Sequence, residues 1–251
     1  MPRQARKKSN TGIYHIMLRG INQQQIFEDE EDNNKFLDVI KEYKLICDYE
    51  VYAYCLMGNH IHLLIKEGEE PLGQIMKRIC TRFVYWYNVK YERKGHLFQD
   101  RYKSEPVEND EYFLAVIRYI HQNPIKAGLC NNLTDYKFSS YGEYLRETSL
   151  IDKNFVLDII TLEDFKRFNS ESANDKCLED ERKAVLRVTD EKAKRIIYKY
   201  SKCKSVAEFQ RLPPKQIERY LEKFKENGLS LRQISRLTGM SLGKVRRKSN
   251  T

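Results

Sequence analysis

His60 and His62 stand two residues apart in the apolar run YCLMGNHIHLLIKE, Tyr54–Glu67. Side chains on a strand alternate between faces, so both imidazoles point one way with Leu64 while Ile61, Leu63 and Ile65 point the other way, into a core. Two imidazoles on one face can converge on a single cation, although the same pair also suits ordinary packing. A third ligand and a reacting group are offered by RYIHQNP, Arg118–Pro124. There Tyr119 and Asn123 lie one helical turn apart and share a face. His121 falls about 200° around the helix from Tyr119 and is set aside as a ligand. Two imidazoles and the Asn123 amide oxygen leave positions open for phosphate oxygens and water. That mixed set suits Mg²⁺ or Mn²⁺, while imidazole alone would favour Zn²⁺. A cation so held would polarise a phosphodiester and orient it for in-line attack. A tyrosine, with an ordinary pKa of about 10, attacks only with such charge neutralisation and a nearby base or water.

These residues need elements to position them. Thr11–Gly20 is rich in β-formers and reads as a strand, and Glu31–Tyr49 carries Phe36, Leu37, Ile40 and Tyr43 at helical spacing. Two β-type runs then flank Gly58-Asn59, predicting a hairpin in which glycine takes the positive φ of a tight turn. Leu72–Tyr91 is a long helical pattern, HLFQDRYKSEPV reads as extended, and Asn109–Pro124 has acids in its first turn and a proline stop. The order β-α-β-β-α-β-α predicts an α+β fold: an antiparallel sheet of split βαβ, ferredoxin-like topology.

Lys+Arg and Asp+Glu balance at 21 each over residues 1–150, whereas residues 151–181 carry a net −5 and residues 182–251 a net +14. Three parts are therefore expected: a domain over 1–150, an acidic connector over 151–181 and a basic helical domain over 182–251 facing a polyanion. In the last, SLRQISRLTGMSLGKVRR has the spacing of a helix-turn-helix, with Gly239 in the turn. The six scattered cysteines form no C-x-x-C pair, which argues against a zinc ribbon. No stretch of about 18 apolar residues occurs, and no apolar core follows the basic N-terminus. The expected location is the cytoplasm, without a membrane partner.

Four motifs in order carry a resemblance. MGNHIHLLI is similar to the His-hydrophobic-His motif of the HUH endonucleases, and GHLFQDRYKS, RYIHQNPIKAGL and YKFSSYGEY resemble the single-tyrosine transposases of that superfamily, especially the REP-associated ones. The likeness spans roughly residues 10–147 and implies the HUH palm as fold. It implies His60, His62 and Asn123 as ligands of Mg²⁺ or Mn²⁺. Tyr119 would be the nucleophile that cleaves single-stranded DNA beside a hairpin, keeping the 5′ end as phosphotyrosine. Gly58 stands where the family commonly has proline, Phe98 and Phe138 where it has tryptophan, and some relatives have glutamine in place of Asn123.

Leu72–Lys103 interleaves basic and aromatic residues, as a single-strand groove requires. Arg82, Arg101 and Lys103 are the expected DNA contacts there, and Arg19 resembles a family position near the site. Arg246 and Arg247 are the expected contacts of the C-terminal region, which would add duplex or hairpin affinity through phosphates. The expectation is a transposase or domesticated transposase, as monomer or homodimer. The alternative is a regulator that reads DNA hairpins or operators without cutting.

Overall fold

A computed structural model describes residues 6–147, 149–172, 175, 177–178, 188 and 190–248, with residues 191 and 248 described in their backbone alone. Four strands form one sheet: β1 (Ile13–Arg19), β2 (Glu50–Met57), β3 (His60–Lys66) and β4 (Lys103–Pro106), in the order β2-β3-β1-β4. Every neighbouring pair is antiparallel. Together with α1 (Glu30–Cys47), α2 (Leu72–Lys90) and α3 (Asp110–Lys126), this is the expected split βαβ order. The sequence marks the helix starts well. The Asp29 side chain accepts from Asp32 N–H while the Asp32 carboxylate reaches back, a full capping box. Asn109 caps α3 by accepting from Tyr112 N–H at 2.8 Å.

The β2–β3 hairpin forms with two turn residues, but neither Gly58 nor Asn59 has a positive φ. The expected reason for the glycine does not apply. Tertiary bonds hold the turn: Gly58 C=O accepts from Ile26 N–H at 2.8 Å, and Asn59 C=O accepts from Gly20 N–H at 2.9 Å. Pro124 does not stop α3 either, because the helix runs on to Lys126 and ends at Gly128, whose φ of 66° is the left-handed one. Proline removes its own N–H, yet the turn beyond it still closes, with Ala127 N–H on Asn123 C=O at 2.9 Å. The extended stretch before β4 is mostly irregular, touching the sheet through a single bridge between Gly20 and Phe98.

Both faces of the sheet are buried. Ile61, Leu63 and Ile65 are completely enclosed, on the face that α1 and α2, packed on one another, close off. α3 lies across the opposite face and meets β2 and β3. Residues 151–170, expected within a connector, contain α4 (Lys153–Ile159) and α5 (Leu162–Ser170), whose Val156 and Phe165 join the same core.

The chain divides into two compact units, residues 1–183 and 184–251. The second is all-helical: α6 (Asp190–Ser201), α7 (Val206–Gln210), α8 (Pro214–Glu226), α9 (Leu231–Thr238) and α10 (Leu242–Lys248). Its own core gathers Ala193, Leu221, Phe224, Ile234 and Val245. Gly239 joins α9 to α10 at φ +65°, and a Cβ there would lie 2.5 Å from Val206 Cγ1, so only glycine fits this turn. Among the described residues no helix is long and apolar enough to cross a membrane.

Candidate active site

The β1–β3 register sets Met17 opposite His62 and Arg19 opposite His60, so these four side chains emerge on one face. The His60 and His62 rings stand edge-on with centroids 5.1 Å apart. α3 brings Tyr119 onto the same face, its ring 5.5 Å from that of His62. Tyr119 is 4 % exposed, His60 7 % and His62 1 %. One turn along α3, the half-buried Asn123 donates from Nδ2 to Tyr119 C=O at 2.8 Å. Its amide nitrogen is thereby tied to the helix, and the oxygen is the atom it can offer a cation. Lys126 Nζ lies 5.3 Å from the centre of the Tyr119 ring, placing a positive charge beside the phenol.

The electrostatics suit ligation by imidazole. Burial first, then the proximity of His60, His15 and Arg19, holds His62 well below the usual histidine range. It is therefore neutral near pH 7, as a metal ligand must be. His60 donates from Nδ1 to Asn59 Oδ1 at 2.7 Å. This bond fixes its tautomer with the lone pair on Nε2, the usual outer support of a ligating histidine. Among the described residues no group of three His, Cys, Asp or Glu is placed to hold a metal. Of the sequence-expected donors, His60 and His62 stand together on one sheet face, and Asn123 lies one turn along α3 from Tyr119.

The other sequence-expected residues fall into three places. Lys103 pairs with Met17, which pairs in turn with His62; the three make one row, with Lys103 about 10 Å from His62 by strand spacing. Lys103 and Arg101 also line a cavity of about 750 Å³ with Arg6, Lys7, Tyr102 and Glu105. Arg82 is not gathered there, since it sits exposed on α2 with its Nε 3.9 Å from Glu42 of α1. Arg246 and Arg247 are exposed on α10, in the second unit.

Sequence reasoning missed His15. It lies on β1 in phase with Met17 and Arg19, and its Nε2 is 3.0 Å from His62 Nδ1. The only signal for it was the alternation 15, 17, 19, and which strand faced it depended on a sheet register invisible in the chain.

The first unit is thus a split βαβ sheet carrying H-x-H on a central strand, with the helix of Tyr119 laid across that face. Residues 8–123 match the family model described as "Transposase IS200 like". The chain is 25 % identical over 113 residues, 39 % of its length, to a Haemophilus influenzae protein assigned to the REP-associated tyrosine transposases. To the REP-associated tyrosine transposase of Escherichia coli K12 it is 22 % identical over 95 residues, 37 % of its length. It spans 64 % and 54 % of the lengths of these two curated relatives. In fold it is similar to a REP-associated tyrosine transposase solved bound to a REP hairpin, with TM-score 0.51 and 18 % identity over 58 % of this chain and 86 % of that one.

Proposed function

We propose that the first unit nicks and rejoins single-stranded DNA beside a hairpin, with Tyr119 as nucleophile and a divalent cation, Mg²⁺ or Mn²⁺, held by His60, His62 and Asn123. The observation that carries this reading is the meeting of the Tyr119 and His62 rings on one sheet face, with His60 alongside. The cation would withdraw charge from the scissile phosphate. Tyr119 Oη forms a bond to phosphorus as the bond to O3′ breaks, leaving a 5′-phosphotyrosine and a free 3′-hydroxyl. The phenolic proton passes to water or a base, and Lys126 lowers the cost of charge on the attacking oxygen. The reverse attack by a 3′-hydroxyl rejoins the strand. Arg19, on the face of His60, and Arg101 and Lys103, which share a cavity, would neutralise backbone phosphates, whereas Arg82 would contact DNA only on the outer helical side.

The second unit, with its basic α10 following the Gly239 turn, would serve as a helix-turn-helix that adds duplex affinity. Its exposed Lys244, Arg246 and Arg247 lie on one short helix. Such phosphate-dominated binding falls steeply with salt.

A labelled hairpin-bearing oligonucleotide incubated with Mn²⁺ should yield a protein–DNA adduct on a denaturing gel. Tyr119→Phe should abolish the adduct completely, and an adduct retained by that variant removes Tyr119 from the role. The burial of Tyr119 and His62 favours a second reading, a non-cleaving hairpin reader, since that function needs no access to either ring. Tight hairpin binding with no adduct from the wild-type protein would establish it.

A further inference from the structure

His15 is completely buried. Its ring edge meets Tyr119 at 5.7 Å and its plane is tilted against His62 with centroids 5.3 Å apart. The bond between His15 Nε2 and His62 Nδ1, at 3.0 Å, holds one proton, and the owner of that proton decides what His62 can do. If His15 donates, His62 accepts on Nδ1 and carries its own proton on Nε2, where it cannot bind a cation. If His62 donates, its Nε2 presents a lone pair, and the proton of neutral His15 sits on Nδ1.

We propose that His15 is a positioning residue that accepts from His62 Nδ1–H, holding His62 in its ligating tautomer and its ring against Tyr119. The role parallels that of Asn59 toward His60, where Asn59 Oδ1 accepts from Nδ1–H at 2.7 Å. The two supports differ in kind. A carbonyl oxygen only accepts, so Asn59 fixes one tautomer outright. An imidazole either gives or takes, and among the described residues His15 Nδ1 has no hydrogen-bond partner to bias it. His15 can therefore accept from His62 only while its own proton sits on Nδ1, and the pair in that arrangement would leave His62 Nε2 open to a cation.

This inference rests on the reading of His60 and His62 as cation ligands, and the experiment separates the two. Mn²⁺ alone is titrated into the wild-type full chain, His15→Phe and His15→Gln, following free Mn²⁺ by electron paramagnetic resonance. His15→Phe should weaken binding about 10- to 100-fold, the usual loss on removing an outer partner of a ligating histidine. His15→Gln, whose Oε1 can accept in place of Nε2, should recover most of it. Imidazole ¹⁵N spectra of the wild-type protein with Mg²⁺ should show His62 protonated on Nδ1 and His15 likewise. Equal Mn²⁺ binding by wild type and His15→Phe overturns the role of His15 alone, as does a Mg²⁺-loaded His62 protonated on Nε2. Absence of Mn²⁺ binding by the wild type overturns both readings. The spectra need no variant, so poor folding of His15→Phe does not shield the inference.

Discussion

Two buried histidines attached to the α3 side of the sheet look alike by burial and differ in every partner. His121 donates from Nδ1 to Asn169 Oδ1 at 2.8 Å and its Nε2 accepts from Ser140 Oγ at 2.9 Å. Tyr141, Tyr144 and Phe165 pack around its ring, and burial pushes it down to about 4. Both nitrogens are engaged by groups that stay put, so nothing is left to bind. His62 is as deeply enclosed, but its Nδ1 meets another imidazole at 3.0 Å, whose role as donor or acceptor can reverse. The difference teaches how to separate a structural histidine from a working one: burial alone does not, but the inventory of ring nitrogens does. A buried ring with both nitrogens in fixed bonds holds the fold, and one with an adjustable bond can hold a ligand.

Exchanging the two losses tests this most severely. His62→Ala should eliminate the Mn²⁺-dependent adduct while the protein remains folded and still shifts hairpin DNA in a gel. His121→Leu should keep adduct formation per folded molecule but lower the urea midpoint of the first unit. It strands Asn169 Oδ1 in the interior, at roughly 1–3 kcal/mol, while Ser140 Oγ keeps its bonds to Tyr54 N–H and C=O. A folded His121→Leu protein that forms no adduct would break the contrast.

Acid should weaken the structural histidine in a calculable direction. The folded value near 4 lies below the ordinary 6.5, so between these pH values the unfolded chain holds a proton that folded His121 does not. Stability from this group is fully present above about pH 6.5 and declines as pH falls toward 4, by a total on the order of 3 kcal/mol. The stability gap between wild type and His121→Leu, measured by urea unfolding in metal-free buffer, should therefore shrink as pH falls from 7 to 4.5. A gap that stays constant would mean that His121 titrates normally.

Much of the site was legible because it obeys local periodicity. Period-two alternation put His60 and His62 on one face, and the helical repeat put Tyr119 with Asn123 and turned His121 away. The rest depended on long-range placement. His15 is separated from His62 by 47 positions, and only the β1–β3 register makes them neighbours. Pro124 read as a terminator because its effect on one backbone bond is local, whereas the helix continues to the turn at Gly128. β4, four residues of KSEP, is the end of the run read as extended, but its pairing with the edge of β1 depended on the sheet register. α4 and α5 hid in acidic sequence, where charge overshadowed the few apolar residues that anchor them. Arg82 was grouped with Arg101 and Lys103 by proximity in sequence, but α2 carries it to the helices covering the other face.

The smallest expected effect sharpens the same contrast without any chemistry on DNA. A ligand that binds only the folded state stabilises it by RT ln(1 + [L]/Kd), about 2.7 kcal/mol when the ligand stands at 100 times its Kd. For a unit of this size that is an upward shift in Tm of roughly 5–10 °C. Wild-type protein should show the shift on adding Mn²⁺ and lose it with a chelator. His60→Ala should show none, because a single remaining imidazole and an amide oxygen make a weak site. His121→Leu should begin from a lower Tm and still rise by the full increment, since neither of its lost bonds touches the donor set. Tyr119→Phe should also rise in full, as its phenol serves the attack and not the cation. If His121→Leu instead loses the increment, the two histidines belong to one coupled network, and α3 transmits strain from its outer side to the sheet face.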